Sequence, residues 1–142
     1  MTQNRSNPFQ HAYHNYKASK ELQKCGGFDD WVITTAFYSA MKYLEDKLFP
    51  AEYEHPRKYG EFVTFKNYPQ FISAYGRLGA DNNKHRIMSE MVAKHIDDIA
   101  VVNSYEDLRQ SCHTARYINY EVGQDRLNMA VEALEIIKNH CV

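Results

Sequence analysis

The sequence has no apolar run that approaches the roughly 20 residues needed to cross a bilayer. Its opening, MTQNRSNPFQHAYHN, holds no apolar stretch of signal-peptide type. The expectation is a soluble, cytoplasmic protein without membrane contact. Cysteine is scarce: Cys25, Cys112 and Cys141 are far apart and form no Cys-x-x-Cys pair. This excludes the usual zinc and dithiol redox signatures and suits a reducing compartment. There is no excess of charge, since 17 Lys and Arg face 18 Asp and Glu for a net −1. No global field draws in nucleic acid, so any such contact must come from a local patch or a dimer groove. Gly-rich phosphate loops, His-Glu-x-x-His and Gly-x-Ser-x-Gly are also missing, which removes the common NTPase, zinc-protease and hydrolase motifs. No cofactor is expected.

Glycine (6) and proline (4) are few, which favours long regular elements, and 142 residues suffice for a single domain, 1–142, with one core. Aromatics are plentiful, with 11 Tyr and 7 Phe beside 7 His. Tyrosine buries a ring while keeping its hydroxyl wet, so it suits helix boundaries; it can also stack bases.

Asn7-Pro8 reads as a helix start, a side-chain cap followed by a residue whose missing N–H costs nothing at the first position. Phe9, Tyr13, Tyr16 and Leu22 hold the stripe to Cys25, and Gly26-Gly27 ends it. Asp29 and Asp30 are read as caps of a second helix. There DWVITTAFYSAMKYLEDKLF spreads Trp31, Val32, Thr35, Ala36, Ser39, Ala40, Tyr43 and Leu44 over a broad face. The small residues allow close approach, so this helix should be central.

The segment 50–78 holds three of the four prolines yet is rich in Tyr and Phe, and reads as an ordered helical insertion. A short helix is expected from Pro69 to Leu78, and a turn and cap at Gly79 to Asn83. Another helix should run from about Lys84 to Val101, with Asn103-Ser104 as a break and Ser104 capping through Asp107. The helix Tyr105 to Tyr120 follows, then Gly123, then a clean stripe of Leu127, Ala130, Val131, Leu134 and Ile137. The predicted class is all-α: an up-and-down antiparallel bundle of about five helices with a short helical excursion inserted after the second.

The stretch YEDLRQSCHTARYINY carries the chemistry. Tyr105, Leu108, Cys112, Ala115 and Asn119 define an apolar seam at helical spacing. Arg109, His113, Arg116 and Tyr120 form a polar stripe roughly 60° wide, about 100° around from that seam. Two guanidiniums and an imidazole could bind phosphate or move a proton near neutral pH. Equally, Arg109 could pair with Glu106 or Asp107, and Arg116 could bridge helices. Lys84, His85 and Arg86 place positive charge in the first turn of their helix, where an anion would be welcome. His11 and His14 share a helix but have no visible third ligand, so no metal site is assigned.

Two blocks together resemble HEPN domains. Phe37-Tyr38-Ser39-Ala40 is similar to the aromatic pair and small residues of their second helix. Tyr105, Leu108 and Ala115-Arg116-Tyr117 are similar to a later one. The resemblance implies a helical bundle that dimerises and either cleaves RNA without metal or binds partners after losing catalysis. Such proteins occur as toxins beside nucleotidyltransferase antitoxins or in defence systems. Active members carry Arg and then His after four to six residues. Here Arg5 and His11 fit that spacing in the wrong place, Arg109 and His113 are separated by only three residues, and Lys42 stands where relatives often have His. The expectation is therefore a HEPN-like module that binds nucleic acid or a protein partner through a dimer surface. The alternative is a metal-independent endoribonuclease, with His113 as acid/base and Arg109 and Arg116 on phosphate.

Overall fold

The computed structural model describes residues 7–76 and 83–142. It is mostly helical, with six helices and a two-stranded antiparallel sheet among the described residues. No helix among the described residues is long and apolar enough to cross a membrane.

Helix α1 spans Pro8–Cys25, and the Asn7 side chain caps it by accepting from the Gln10 amide at 3.1 Å. Gly26 and Gly27 both take positive φ (73° and 84°), a pair of backbone states that lets the chain reverse at once into the next helix. Helix α2 spans Asp29–Leu48, with Phe28 at the cap position and no side-chain cap. Asp29 and Asp30 lie in its first turn instead, where they still oppose the positive helix end. Ser39 Oγ donates to the Ala12 carbonyl (2.7 Å) and Ser19 Oγ to that of Val32 (3.1 Å), so the two helices run antiparallel at close range.

The insertion differs from the expected helical excursion. Strands β1 (Ala51–Glu54) and β2 (Phe62–Phe65) form a hairpin in the register Ala51↔Phe65 to Glu54↔Phe62, followed by the short helix α3 (Tyr68–Ser73). Four-residue strands are too short for a two-residue period to stand out, and exposed Phe62 breaks the alternation. An aromatic cluster fixes the hairpin to the bundle. Phe71 meets Phe65 at 5.0 Å, Tyr53 at 5.8 Å and Phe49 at 5.9 Å between ring centres.

Helix α4 spans Asn83–His95, so Asn83, expected in the turn and cap from Gly79 to Asn83, is its first residue; the rest of that turn, with Leu78, lies outside the described residues. The break before the next helix falls at Ile96 to Asp98 rather than at Asn103-Ser104. Asp98 Oδ1 accepts from the amides of Ala100 (3.0 Å) and Val101 (3.4 Å), which starts helix α5, Ile99–Tyr117, six residues earlier than a Ser104 cap would. Ser104 is buried inside α5. At the other end α5 stops at Tyr117, so Asn119 and Tyr120 lie beyond the helix and are exposed. Helix α6, Gln124–Cys141, begins after Gly123 as expected.

Helix α2 packs against α1, α5, α6 and α4, and one apolar cluster joins it to residues of every other helix and of β2. The apolar seam of α5 is buried as expected through Tyr105, Leu108, Cys112 and Ala115. Tyr105 is fully buried, and its hydroxyl has no hydrogen-bond partner. Removing such an oxygen relieves an unsatisfied polar group, so Tyr105→Phe should raise stability by about 1 kcal/mol in urea unfolding. Asp98→Ala should lower it by about 1 kcal/mol through loss of the α5 cap; an unchanged midpoint would contradict that role.

Candidate functional site

Five of the residues singled out in the sequence meet in one place. Lys84 and His85 from the first turn of α4, and Arg109, His113 and Arg116 from α5, line a cleft of roughly 480 Å³. Phe37 and Tyr38 of α2, with Cys112 and Tyr117, complete its walls. Helical spacing places Arg109, His113 and Arg116 on one side of α5. The antiparallel passage of α5 along α2, marked by Phe37 against Tyr105 and Thr34 near Cys112, sets that side next to Tyr38.

Each arginine is held by a neutral oxygen. Arg109 Nη1 donates to Ser89 Oγ at 2.9 Å and lies 3.5 Å from the Glu106 carboxylate. The pairing with Glu106 allowed by the sequence is therefore present, but Glu106 does not line the cleft. Arg116 Nη1 donates to Tyr38 Oη at 3.4 Å, and its guanidinium sits 5.6 Å from the Tyr117 ring centre. The neutral anchor fixes Arg116 without cancelling its charge, while the charge of Arg109 is partly offset by Glu106; both keep further N–H groups that can meet a ligand. On their outer side Arg109 and His113 border a second depression, which also holds Glu106 and Asp107.

The first turn of α4 contains no acidic residue, so the positive helix end and the charges of Lys84 and Arg86 add together. His85 feels this strongly. Burial first, then the charges of Lys84, Arg109 and Arg116, push its pKa below the usual imidazole value. Its ring rests against Phe37 (5.7 Å) and Tyr38 (6.1 Å), and its Nδ1 is buried with no hydrogen-bond partner. His113 is exposed, with its ring 5.2 Å from that of Tyr117.

Two predicted residues fall elsewhere. Tyr120 lies past the end of α5 and does not line the cleft. Arg86 does not line the cleft; its charge acts on Tyr75, whose hydroxyl is pushed up by burial and by Glu90 while Arg86 opposes them. Sequence reasoning missed the contribution of Tyr38, although Trp31, Thr35, Tyr38 and Lys42 recur at helical spacing along the less buried side of α2. Lys42 itself is tied to the buried Glu45 carboxylate at 3.1 Å.

A larger cleft of roughly 690 Å³ lies between the hairpin and α4, lined by both signs of charge, including Glu54, Glu90, Arg57 and Lys94. Among the described residues the α4–α5 cleft has no carboxylate in its lining, and it is the better anion site on chemistry. Among the described residues no group of His, Cys, Asp and Glu could hold a metal ion. Neither family models, curated proteins nor solved structures offer a match to this chain.

Cys112 tests the packing of the cleft wall. Burial, partly offset by the Thr34 hydroxyl and by Arg116, pushes its thiol up, and it is 5% exposed. Iodoacetamide at pH 7.5 should therefore alkylate exposed Cys25 in the native protein and leave Cys112 unmodified until denaturant is added. Equal labelling of the two would contradict the packing.

Proposed function

We propose that the protein is a binding module that takes single-stranded RNA into the α4–α5 cleft. One observation carries the reading: Lys84, His85, Arg109, His113 and Arg116 line a single cleft that has no carboxylate in its lining among the described residues, in a chain whose net charge is −1. Positive charge that is absent globally is concentrated locally, where it can neutralise phosphates and release their counterions. Tyr38 and Tyr117 supply ring faces beside the guanidiniums, and stacking of an unpaired base on such a ring contributes about 1–3 kcal/mol. A duplex keeps its bases stacked on one another, so the aromatic walls favour a single strand. RNA is the ligand that the HEPN resemblance implies. That resemblance rests on the two sequence blocks, and under it the module works as a homodimer or beside a nucleotidyltransferase-type antitoxin. Three free thiols suit a reducing cytoplasm.

A second reading is favoured by the pair of imidazoles, His85 and His113, in the same cleft as two arginines. Metal-independent RNA cleavage needs a base for the 2′-hydroxyl, an acid for the leaving oxygen and positive charge on the phosphate. The chain holds candidates for all three without a second protomer. In this reading His113 serves as acid/base and Arg109 and Arg116 hold the phosphate.

Fluorescence anisotropy with a labelled single-stranded RNA separates the outcomes. Arg109→Gln and Arg116→Gln should each weaken binding by about tenfold to a hundredfold, the usual effect of losing a charge-assisted hydrogen bond. Each should also reduce the salt dependence by about one phosphate contact. Wild-type affinity in both variants would exclude the cleft. Incubation with EDTA then decides between the readings. Intact RNA supports the binding module, whereas cleavage lost in His113→Ala supports the nuclease.

A further inference from the structure

His85 has a property that the binding reading does not use. A neutral imidazole carries hydrogen on only one of its two nitrogens. Nδ1 of His85 is buried without a hydrogen-bond partner, in a ring that packs against those of Phe37 and Tyr38. Hydrogen placed there would be an unsatisfied buried donor, which is costlier than an unpaired lone pair. Full protonation would bury that same donor and add positive charge beside Lys84, Arg109 and Arg116, all of which act against it. The hydrogen therefore sits on Nε2. That nitrogen is not among the buried, unpartnered atoms, and the residue lines the cleft.

The cationic groups around the cleft are donors as well. Lys84, Arg109 and Arg116 have no acceptor atom in their side chains. The Tyr38 hydroxyl accepts from Arg116, and no carboxylate lines the cleft among the described residues. His113, exposed at the cleft, adds a second imidazole. A donor on His85 therefore joins Lys84, Arg109 and Arg116 in offering hydrogen to the oxygens of an anion.

Building on the anion-cleft reading, we infer that His85 is a neutral hydrogen-bond donor that offers Nε2–H to a phosphodiester oxygen of the bound strand. His85 stays neutral when the ligand binds, so it contributes no proton uptake.

Long-range 1H–15N NMR of uniformly 15N-labelled full-length protein at pH 7 reads the tautomer directly. The His85 signals should be those of a neutral ring with hydrogen on Nε2, unchanged in protonation when sodium sulfate or a uridine dinucleotide with one phosphodiester is added. An imidazolium pattern, or hydrogen on Nδ1, would overturn the inference. Sulfate should shift the Nε2 resonance in a saturable manner; no shift at any concentration would overturn the contact with ligand oxygen. His85→Gln, which keeps a donor, should hold the dinucleotide nearly as well as the parent. His85→Phe, which fills the same aromatic slot without one, should lose about tenfold or more. Parent-like binding by the Phe variant would show that no such donor is used. A wild-type protein that binds no oligonucleotide would sink the nucleic-acid reading, while the tautomer and the sulfate response still decide the role of His85.

Discussion

Close approach between α1 and α2 sets the geometry of the whole chain. Ala12, Ala36, Ser39 and Ala40 are almost fully buried, and small side chains at these positions let two backbones come within reach of a single serine. Ser39 and Ser19 then satisfy their hydroxyls on carbonyls of the facing helix, so this tight contact leaves neither hydroxyl unsatisfied. With α1 held on one side, where Tyr43 meets Phe9, Phe37 of α2 packs against Tyr105 of α5 and His85 of α4. Helix α6 is drawn in by the same pair. Lys20 of α1 meets Glu135 at 3.0 Å, and Tyr16, its hydroxyl pushed up to about 12 by burial and by its bond to Glu135, lies under Lys138.

The cleft follows from that arrangement. Phe37 and Tyr38 are adjacent on α2, so one ring is buried against Tyr105 while the next reaches the surface between α4 and α5. Their rings support His85, and Tyr38 also holds Arg116. Cationic character is concentrated here because Lys84 and Arg116 add to Arg109, Arg116 is anchored on the neutral Tyr38 hydroxyl, and α4 directs the positive end of its dipole toward the same space; Arg109, bonded to Ser89, also lies 3.5 Å from Glu106. The distribution of acidic residues supports this view. Glu106 and Asp107 border only the outer side of Arg109 and His113.

Much of the fold was legible because most of its helices follow strong local signals. Asn7-Pro8, Gly26-Gly27 and Gly123 mark helix ends that the chain could not easily place elsewhere. The hairpin was not legible, since its stability comes from ring contacts between Phe65, Phe71 and Tyr53 that are distant in sequence, with only four residues per strand to show a pattern. Asn103-Ser104 misled because residues with cap chemistry also fit inside a helix when packing requires it, and Ser104 is buried there. For the site, the spacing along α5 revealed Arg109, His113 and Arg116, and dipole reasoning revealed Lys84 and His85. Their convergence needed the tertiary structure, as did the separation of Arg86 and Tyr120 from them.

The central claim is that this one cleft is where a single strand is held. Photocrosslinking with a 4-thiouridine-containing RNA, followed by mass spectrometry of the peptides, tests it most directly, because the thiolated base reacts with side chains it touches. The account predicts adducts on peptides that contain Tyr38, His85 or Tyr117 and loss of those adducts in high salt. Adducts confined to the hairpin peptides 51–65, or to the exposed aromatics Phe9 and Tyr13 of α1, would contradict it.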